Sequence, residues 1–338
     1  MIKSQFIIIT ALLWAVLLCG PAAVMADQAT SAQEMEAEET LAKEDMAVPV
    51  KPAVKPYTKS YVGDMITHKA AYEDTLIDIA RVNNLGFVEM RAANPHLDPW
   101  IPGEGATIVI PARHILPDAD KEGVVINLPE MRLFFYPADG SEPITHPIGV
   151  GRTGLETPIG STQVMRKKVG PTWYPTQRMR DEDPSLPEYI KPGSSNPLGT
   201  HALYLGWPAY ALHGTNKPYG IGRRVSSGCI RLFPEDIVTL FDKVEVGTKV
   251  VTVNQPIKAA WIDDVLYVEA HPNLDQSNAM EENGGMPSYE LSKEELALIM
   301  KTAGEHQSAI NWEQLREVVR RRQGYPVAIA QRESKEEI

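Results

Sequence analysis

The stretch Leu212-His213-Gly214-Thr215-Asn216, followed by Arg223-Arg224-Val225-Ser226-Ser227-Gly228-Cys229-Ile230-Arg231-Leu232, decides how the chain is read. It brings one histidine and one cysteine into a short span rich in glycine. A thiol is a poor nucleophile until it loses its proton, and a nearby imidazole can take that proton and leave a thiolate–imidazolium pair. Gly228 lets the backbone approach a substrate carbonyl, and the N–H groups of Gly228 and Cys229 can receive the oxyanion of a tetrahedral intermediate. Ser226 can accept a hydrogen bond from the second imidazole nitrogen and fix the tautomer. A helix starting at Phe233-Pro234-Glu235 places a positive dipole end near Cys229, which favours a thiolate. The residues point to cysteine acyl transfer. A metal site would need three or four ligands, and no second Cys/His pair stands at ligand spacing. A buried inert cysteine fits poorly between Ser226-Ser227-Gly228 and Arg231.

Outward from this stretch, residues 121–255 read as mostly β. Val124–Leu128 and Arg132–Tyr136 flank the Pro129-Glu130 turn, and short strands follow at Ile144–Val150, Gly160–Lys167, Leu203–Leu205, Ala211–His213 and Lys249–Val253. The one clear helix is Phe233–Asp242, with proline at its start and acids in its first turn. A strand-rich body with one helix predicts a mainly β, sandwich-like or barrel-like domain. Gly149-Val150-Gly151-Arg152-Thr153-Gly154 matches a dinucleotide fingerprint. Thr157-Pro158-Ile159-Gly160 cannot open the helix that a cofactor site requires, so the glycines read as a turn between strands and no cofactor is expected.

Residues 60–115 read as a small strand–helix–helix–strand unit. Asp74 or Thr75 caps a helix with apolar Leu76, Ile79, Ala80 and Val82; a second helix runs from Phe87 to Ala93 and stops at Asn94-Pro95; Ile108–Ile110 is a strand. Residues 256–338 form a C-terminal extension with a helical hairpin over 292–324. Ser292 with Glu295 and Asn311 with Gln314 are its N-caps, Gly324 its C-cap, and Arg320-Arg321-Arg322 suits the dipole of its last turn.

At the N-terminus, Lys3, the uncharged run Phe6–Leu18 and the small-residue site before Asp27 follow the order of a secretory signal peptide over residues 1–26, cleaved after Ala26. The apolar run is short for about 30 Å of hydrocarbon; an uncleaved anchor is the alternative. Residues 27–59 are acidic, then Pro-rich, and read as a disordered spacer. The chain of 338 residues carries 33 basic and 44 acidic side chains, net −11, which argues against a nucleic-acid partner. It has two cysteines. Cleavage would remove Cys19 and leave Cys229 alone in an oxidising compartment, where its upkeep would call for a periplasmic thiol reductase.

His-Gly-Thr followed by Ser-x-Gly-Cys-Ile-Arg resembles the YkuD-type L,D-transpeptidase family, with Thr157-Pro158-Ile159-Gly160, Thr172-Trp173-Tyr174-Pro175-Thr176 and Asn196-Pro197-Leu198-Gly199 in agreement. The 60–115 unit resembles the LysM fold, which binds N-acetylglucosamine-containing glycans; Glu73 stands where that family usually has glycine. LysM followed by the transpeptidase domain is similar to the periplasmic subgroup of Gram-negative cells.

The resemblance implies a peptidoglycan tetrapeptide stem as substrate. Cys229 would attack the carbonyl of its third residue, a diamino acid, and His213 would protonate the departing D-Ala. The acceptor would be another stem, an outer-membrane lipoprotein lysine or a free D-amino acid. Water would make the protein an L,D-carboxypeptidase, and a dormant catalytic domain would leave a LysM wall-binding protein. Many family members have histidine where this chain has Ser227, so His213 must be the base. Arg231 is a carboxylate contact or loop anchor. Gly214 and Thr215 would line the substrate site. Trp173 and Tyr174 would wall it, with core packing the alternative for Trp173. His201 is structural or lines the cleft.

Overall fold

The computed structural model describes residues 55–332. The signal-peptide call, most of the spacer call and the Glu-rich C-terminal end lie outside them. Among the described residues no helix is long and apolar enough to cross a membrane.

In chain order the elements begin with β1 (Tyr61–Val62), β2 (Ile66–Lys69), α1 (Leu76–Val82), α2 (Phe87–Ala93), β3 (Thr107–Ile110) and β4 (His114–Ile115). β2 and β3 pair antiparallel, Ile66 opposite Ile110, around a core of Leu76, Ile79, Leu85, Met90 and Ile108. Thr75 is the cap of α1, its hydroxyl accepting the Asp78 N–H at 3.0 Å. Val82 is exposed rather than part of the apolar stripe. Asn94 ends α2. Its buried side chain bonds the Met90 carbonyl and both backbone groups of Val109, which fastens the helix to β3.

Next come β5 (Gly123–Asn127), β6 (Arg132–Tyr136), β7 (Ile144–Pro147), β8 (Val150–Gly151), β9 (Gly160–Val169), α3 (Gln177–Glu182), β10 (His201–Leu205), β11 (Ala211–His213), β12 (Arg224–Ser226), β13 (Ile230–Arg231), α4 (Pro234–Lys243) and β14 (Lys249–Val253). The domain is mainly β, built on one curled eight-stranded sheet in the order β13-β11-β10-β9-β14-β5-β6-β7. The β11–β13 and β14–β5 pairs are parallel; the other pairs are antiparallel. Strand β5 is buried on both faces: Val124 and Ile126 join the main core with α4's Ile237 and Leu240, while Val125 packs with Phe134 and Tyr136. That is why β5 and β6 read as continuous apolar runs. The Gly149–Gly154 stretch is more than a turn: it holds β8, which pairs parallel with β12, just ahead of Cys229.

The C-terminal part is β15 (Ile257–Ile262), β16 (Val265–Ala270), α5 (Leu274–Asn283), α6 (Lys293–Ala303), α7 (Trp312–Arg321) and β17 (Val327–Gln331). Here the expectation of a helical hairpin needs correcting. α6 and α7 carry the expected Ser292 and Asn311 caps, but they lie on a three-stranded antiparallel sheet, β15-β16-β17. The strands were hidden because Lys258 and Glu269 occupy fully buried positions that an alternating pattern reserves for apolar residues. Helix α7 ends at Arg322, in the left-handed region at φ 43°, and not at Gly324. Arg322 is buried, stacked 3.6 Å over the Tyr289 ring with a bond to the His271 carbonyl.

The three parts meet at a buried ionic cluster. Lys258 Nζ lies 2.8 Å from both Glu130 and Glu269 and donates to the Ile115 carbonyl. His271 bonds Glu269 at 2.6 Å, and Arg132 bonds Glu89 of α2 at 2.7 Å. His114, Glu130 and Glu269 have donor types suited to a metal, but the Lys258 ammonium sits among the carboxylates. Burial works against ionised Glu130, yet Lys258, His271 and His114 outweigh it and hold its carboxyl well below the usual range. Burial, then the Arg132 charge, depresses His114.

Both depressed groups bind protons more weakly folded than unfolded, so their stabilisation is complete above their unfolded values and lost as pH falls. Urea midpoints should therefore decline from about pH 6.5, where free histidine titrates, to below about pH 4.5, where free glutamate does. Lys258→Met should cost about 3–5 kcal/mol in urea unfolding at pH 7.5, because it strands two buried carboxylates. A midpoint flat between pH 7 and 4, or a Lys258→Met protein of unchanged stability, would refute the cluster's role.

Candidate active site

The parallel register of β11 and β13 sets the geometry. Leu212 pairs with Ile230 and His213 with Arg231. Leu212 and Ile230 are fully buried in the core with α4. Strand alternation therefore turns His213 and Arg231 to the opposite face, and Cys229 directly precedes Ile230 at the start of β13. The Arg231 charge acts on both Cys229 and His213.

His213 is buried, and its Nδ1 lies 2.6 Å from the Gly214 carbonyl. A carbonyl only accepts, so Nδ1 carries the proton and Nε2 keeps its lone pair. Burial first, then the Arg231 charge, lowers the imidazole to about 4, against the Gly214 carbonyl. Burial pushes the Cys229 thiol up, partly offset by the Ala211 amide and by Arg231. The thiol donates to the Ala209 carbonyl at 3.3 Å. Burial opposes a charge on either group, so these shifts favour a neutral thiol beside a neutral imidazole, against the thiolate that the start of α4 would favour.

Ser226 does not orient the imidazole. Its hydroxyl donates to the Cys229 carbonyl and accepts the Gly228 N–H at 3.1 Å, bracing the turn under the nucleophile. Orienting falls to the Gly214 carbonyl. The Gly228 amide, expected in an oxyanion site, is thereby occupied; among the described residues the Cys229 N–H has no partner. Gly228 sits at φ +106°, and a Cβ there would lie 2.8 Å from the Tyr210 ring, so only glycine fits. Thr157 Oγ1 donates to the Gly228 carbonyl at 2.8 Å and accepts the Gly151 N–H at 3.1 Å. Sequence reading noted Thr157 only as part of a motif.

Arg231 is partly buried, with Nε lacking a partner and no carboxylate paired to it among the described residues. Gly214 and Thr215 also carry packing and turn geometry beside His213. A Cβ on Gly214 would press Ile237 at 3.0 Å, and buried Thr215 accepts the Lys217 N–H. Trp173 and Tyr174 lie on the segment joining β9 to β10. Trp173 exchanges backbone bonds with Ile190, and Tyr174 is 66% exposed beside Tyr189. The aromatics beside the nucleophile's turn are Tyr210 and Trp207, edge to face at 6.2 Å. Their signal was Gly206-Trp207-Pro208-Ala209-Tyr210 directly ahead of β11. His201 faces away from His213, packed on Phe241 of α4, and is structural.

Residues 121–252 match the L,D-transpeptidase catalytic domain family. The chain is 41% identical over 251 residues to the "Probable L,D-transpeptidase YbiS" of Escherichia coli K12, spanning 72% of this chain and 80% of that one. It is 40% identical over 251 residues to the "Probable L,D-transpeptidase ErfK/SrfK" of Salmonella typhimurium, spanning 72% and 79%. To the "Putative L,D-transpeptidase YkuD" of Bacillus subtilis it is 28% identical over 193 residues, spanning 56% of this chain and all of that one.

The shared Arg231 cation yields a paired prediction. Removing it with Arg231→Gln should raise both the Cys229 thiol and the His213 imidazole. The pH profile of Cys229 alkylation by iodoacetamide should shift to higher pH, while the His213 titration moves up from about 4. Profiles that coincide with wild type would show that Arg231 does not govern the pair.

Proposed function

This chain belongs to the L,D-transpeptidase family, and from that premise we propose that Cys229 is its nucleophile, His213 its general base and acid, and Arg231 its substrate-carboxylate contact. The parallel β11–β13 register supports this reading: it pairs His213 with Arg231, and Cys229 directly precedes β13. The donor is a peptidoglycan tetrapeptide stem. As Cys229 Sγ attacks the carbonyl of the third residue, its proton passes to His213 Nε2, and the Cys229 N–H takes the oxyanion. The intermediate collapses to a thioester as D-Ala leaves with the proton from His213. An amine then attacks, its proton goes back through His213, and the thiol is restored. A neutral resting pair suits this cycle: the thiolate need form only when a carbonyl is there to consume it.

The acceptor is the amine of a second stem or of a lipoprotein lysine. The 60–115 unit acts as a LysM glycan-binding module, supported by its strand–helix–helix–strand order and by exposed Trp100 and Ile101 beside the start of α1. The protein works in the periplasm, the compartment that the N-terminal sequence and this substrate imply.

With a carbapenem, wild-type protein should gain one acyl mass and Cys229→Ala none; an adduct on the alanine variant would sink the nucleophile assignment. With purified sacculi, cross-linked or amine-transferred muropeptides are expected, whereas tripeptides alone would establish hydrolysis. Trp100→Ala should weaken sacculus binding several-fold with carbapenem acylation unchanged. Equal binding would remove Trp100 from the glycan site.

A further inference from the structure

We propose that Thr157 is a positioning residue for the oxyanion site: its hydroxyl holds the Gly228–Cys229 peptide so that the Cys229 N–H faces the reacting carbonyl. The inference rests on the acyl-transfer reading of Cys229. The peptide is planar and trans, so its C=O and N–H point in opposite directions. Whatever fixes the Gly228 carbonyl therefore aims the Cys229 N–H. That fixing group is the Thr157 hydroxyl, 2.8 Å from the carbonyl oxygen.

The direction of the bond is forced. The Gly151 N–H can only donate and the Gly228 carbonyl can only accept, so Thr157 Oγ1 receives one bond and gives the other. Thr157 is 3% exposed, so water does not compete for either bond. The two serine bonds leave this peptide's orientation open: Ser226 holds the Gly228 N–H and the Cys229 carbonyl, which belong to the peptides on either side. Gly228 itself has the backbone freedom of glycine, so its following peptide needs an external hold. Thr157 supplies it from a different segment, anchored through Gly151 on β8, which also pairs with β12. A bond accepted at the carbonyl further polarises the amide and strengthens its N–H as a donor. Sequence proximity cannot reveal this, because Thr157 lies far from Cys229 along the chain.

The test is carbapenem acylation of the purified protein, separating the first-order acylation rate from the concentration for half-saturation. Thr157→Val keeps the shape and removes the hydroxyl. It should slow the first-order step by roughly tenfold to a hundredfold while half-saturation changes less than about threefold, since loss of one oxyanion donor costs 10²–10³ in rate. Thr157→Ser restores the hydroxyl and should return the rate to within about threefold of wild type. Thr157→Ala, expected to slow the step in the same sense, serves if valine prevents folding. Hydroxyl-free variants that acylate at the wild-type rate would overturn the inference alone. So would a deficit appearing only in half-saturation, or a serine variant as slow as valine. A wild-type protein that takes no acyl group would overturn the nucleophile reading and this inference with it.

Discussion

The site depends on the parallel pairing of β11 with β13. These short strands lie at one edge of the sheet, and one face of each is committed to the core by Leu212 and Ile230. A slip of one residue would turn His213 into the aliphatic core beside α4 and swing Leu212 and Ile230 out of it. The same hydrophobic burial that closes the sheet onto α4 therefore fixes which face carries the chemistry. Everything else at the site tunes groups already placed: Gly214 sets the imidazole's tautomer, Ser226 and Thr157 hold the turn, and Arg231 lends a cation to both partners.

The segment leading to that turn is gripped from both sides. Gly86 and Gly222 touch so closely that a Cβ on Gly222 would fall 2.2 Å from the Phe87 nitrogen, and the Val88 N–H bonds the Gly222 carbonyl. Arg223 stacks 3.4 Å over Phe87 and pairs with Glu281 of α5 at 3.0 Å. The N-terminal module and the C-terminal extension thus both bear on the strand that carries Ser226. The module is not a free bead on a string: Val88 and Ala92 of α2 belong to the catalytic core.

The elements legible in the sequence were those whose side chains follow one simple rule. The apolar runs of β5 and β6, the proline-led α4 and the Ser292 and Asn311 caps could all be read locally, as could the His213 and Cys229 constellation. What stayed hidden was set by distant partners. β15 and β16 were masked by Lys258 and Glu269, polar residues paid for by an ionic cluster assembled from three parts of the chain. Ser226 is the hydroxyl of the Cys229 turn and so reads as an orienter for His213. Its hydroxyl is claimed by backbone groups of its own turn. Gly228 meets Tyr210 through packing that no local pattern announces. Helix dipole and imidazole are visible in sequence, whereas the burial that disfavours a charge on either group is not.

¹⁵N NMR of the His213 imidazole in the unacylated protein separates a neutral resting pair from a charged one. A neutral ring protonated on Nδ1 is expected from pH 8 down to 5, titrating near 4. An imidazolium at pH 7 that becomes neutral in Cys229→Ala would contradict it, because it would show a preformed thiolate–imidazolium pair.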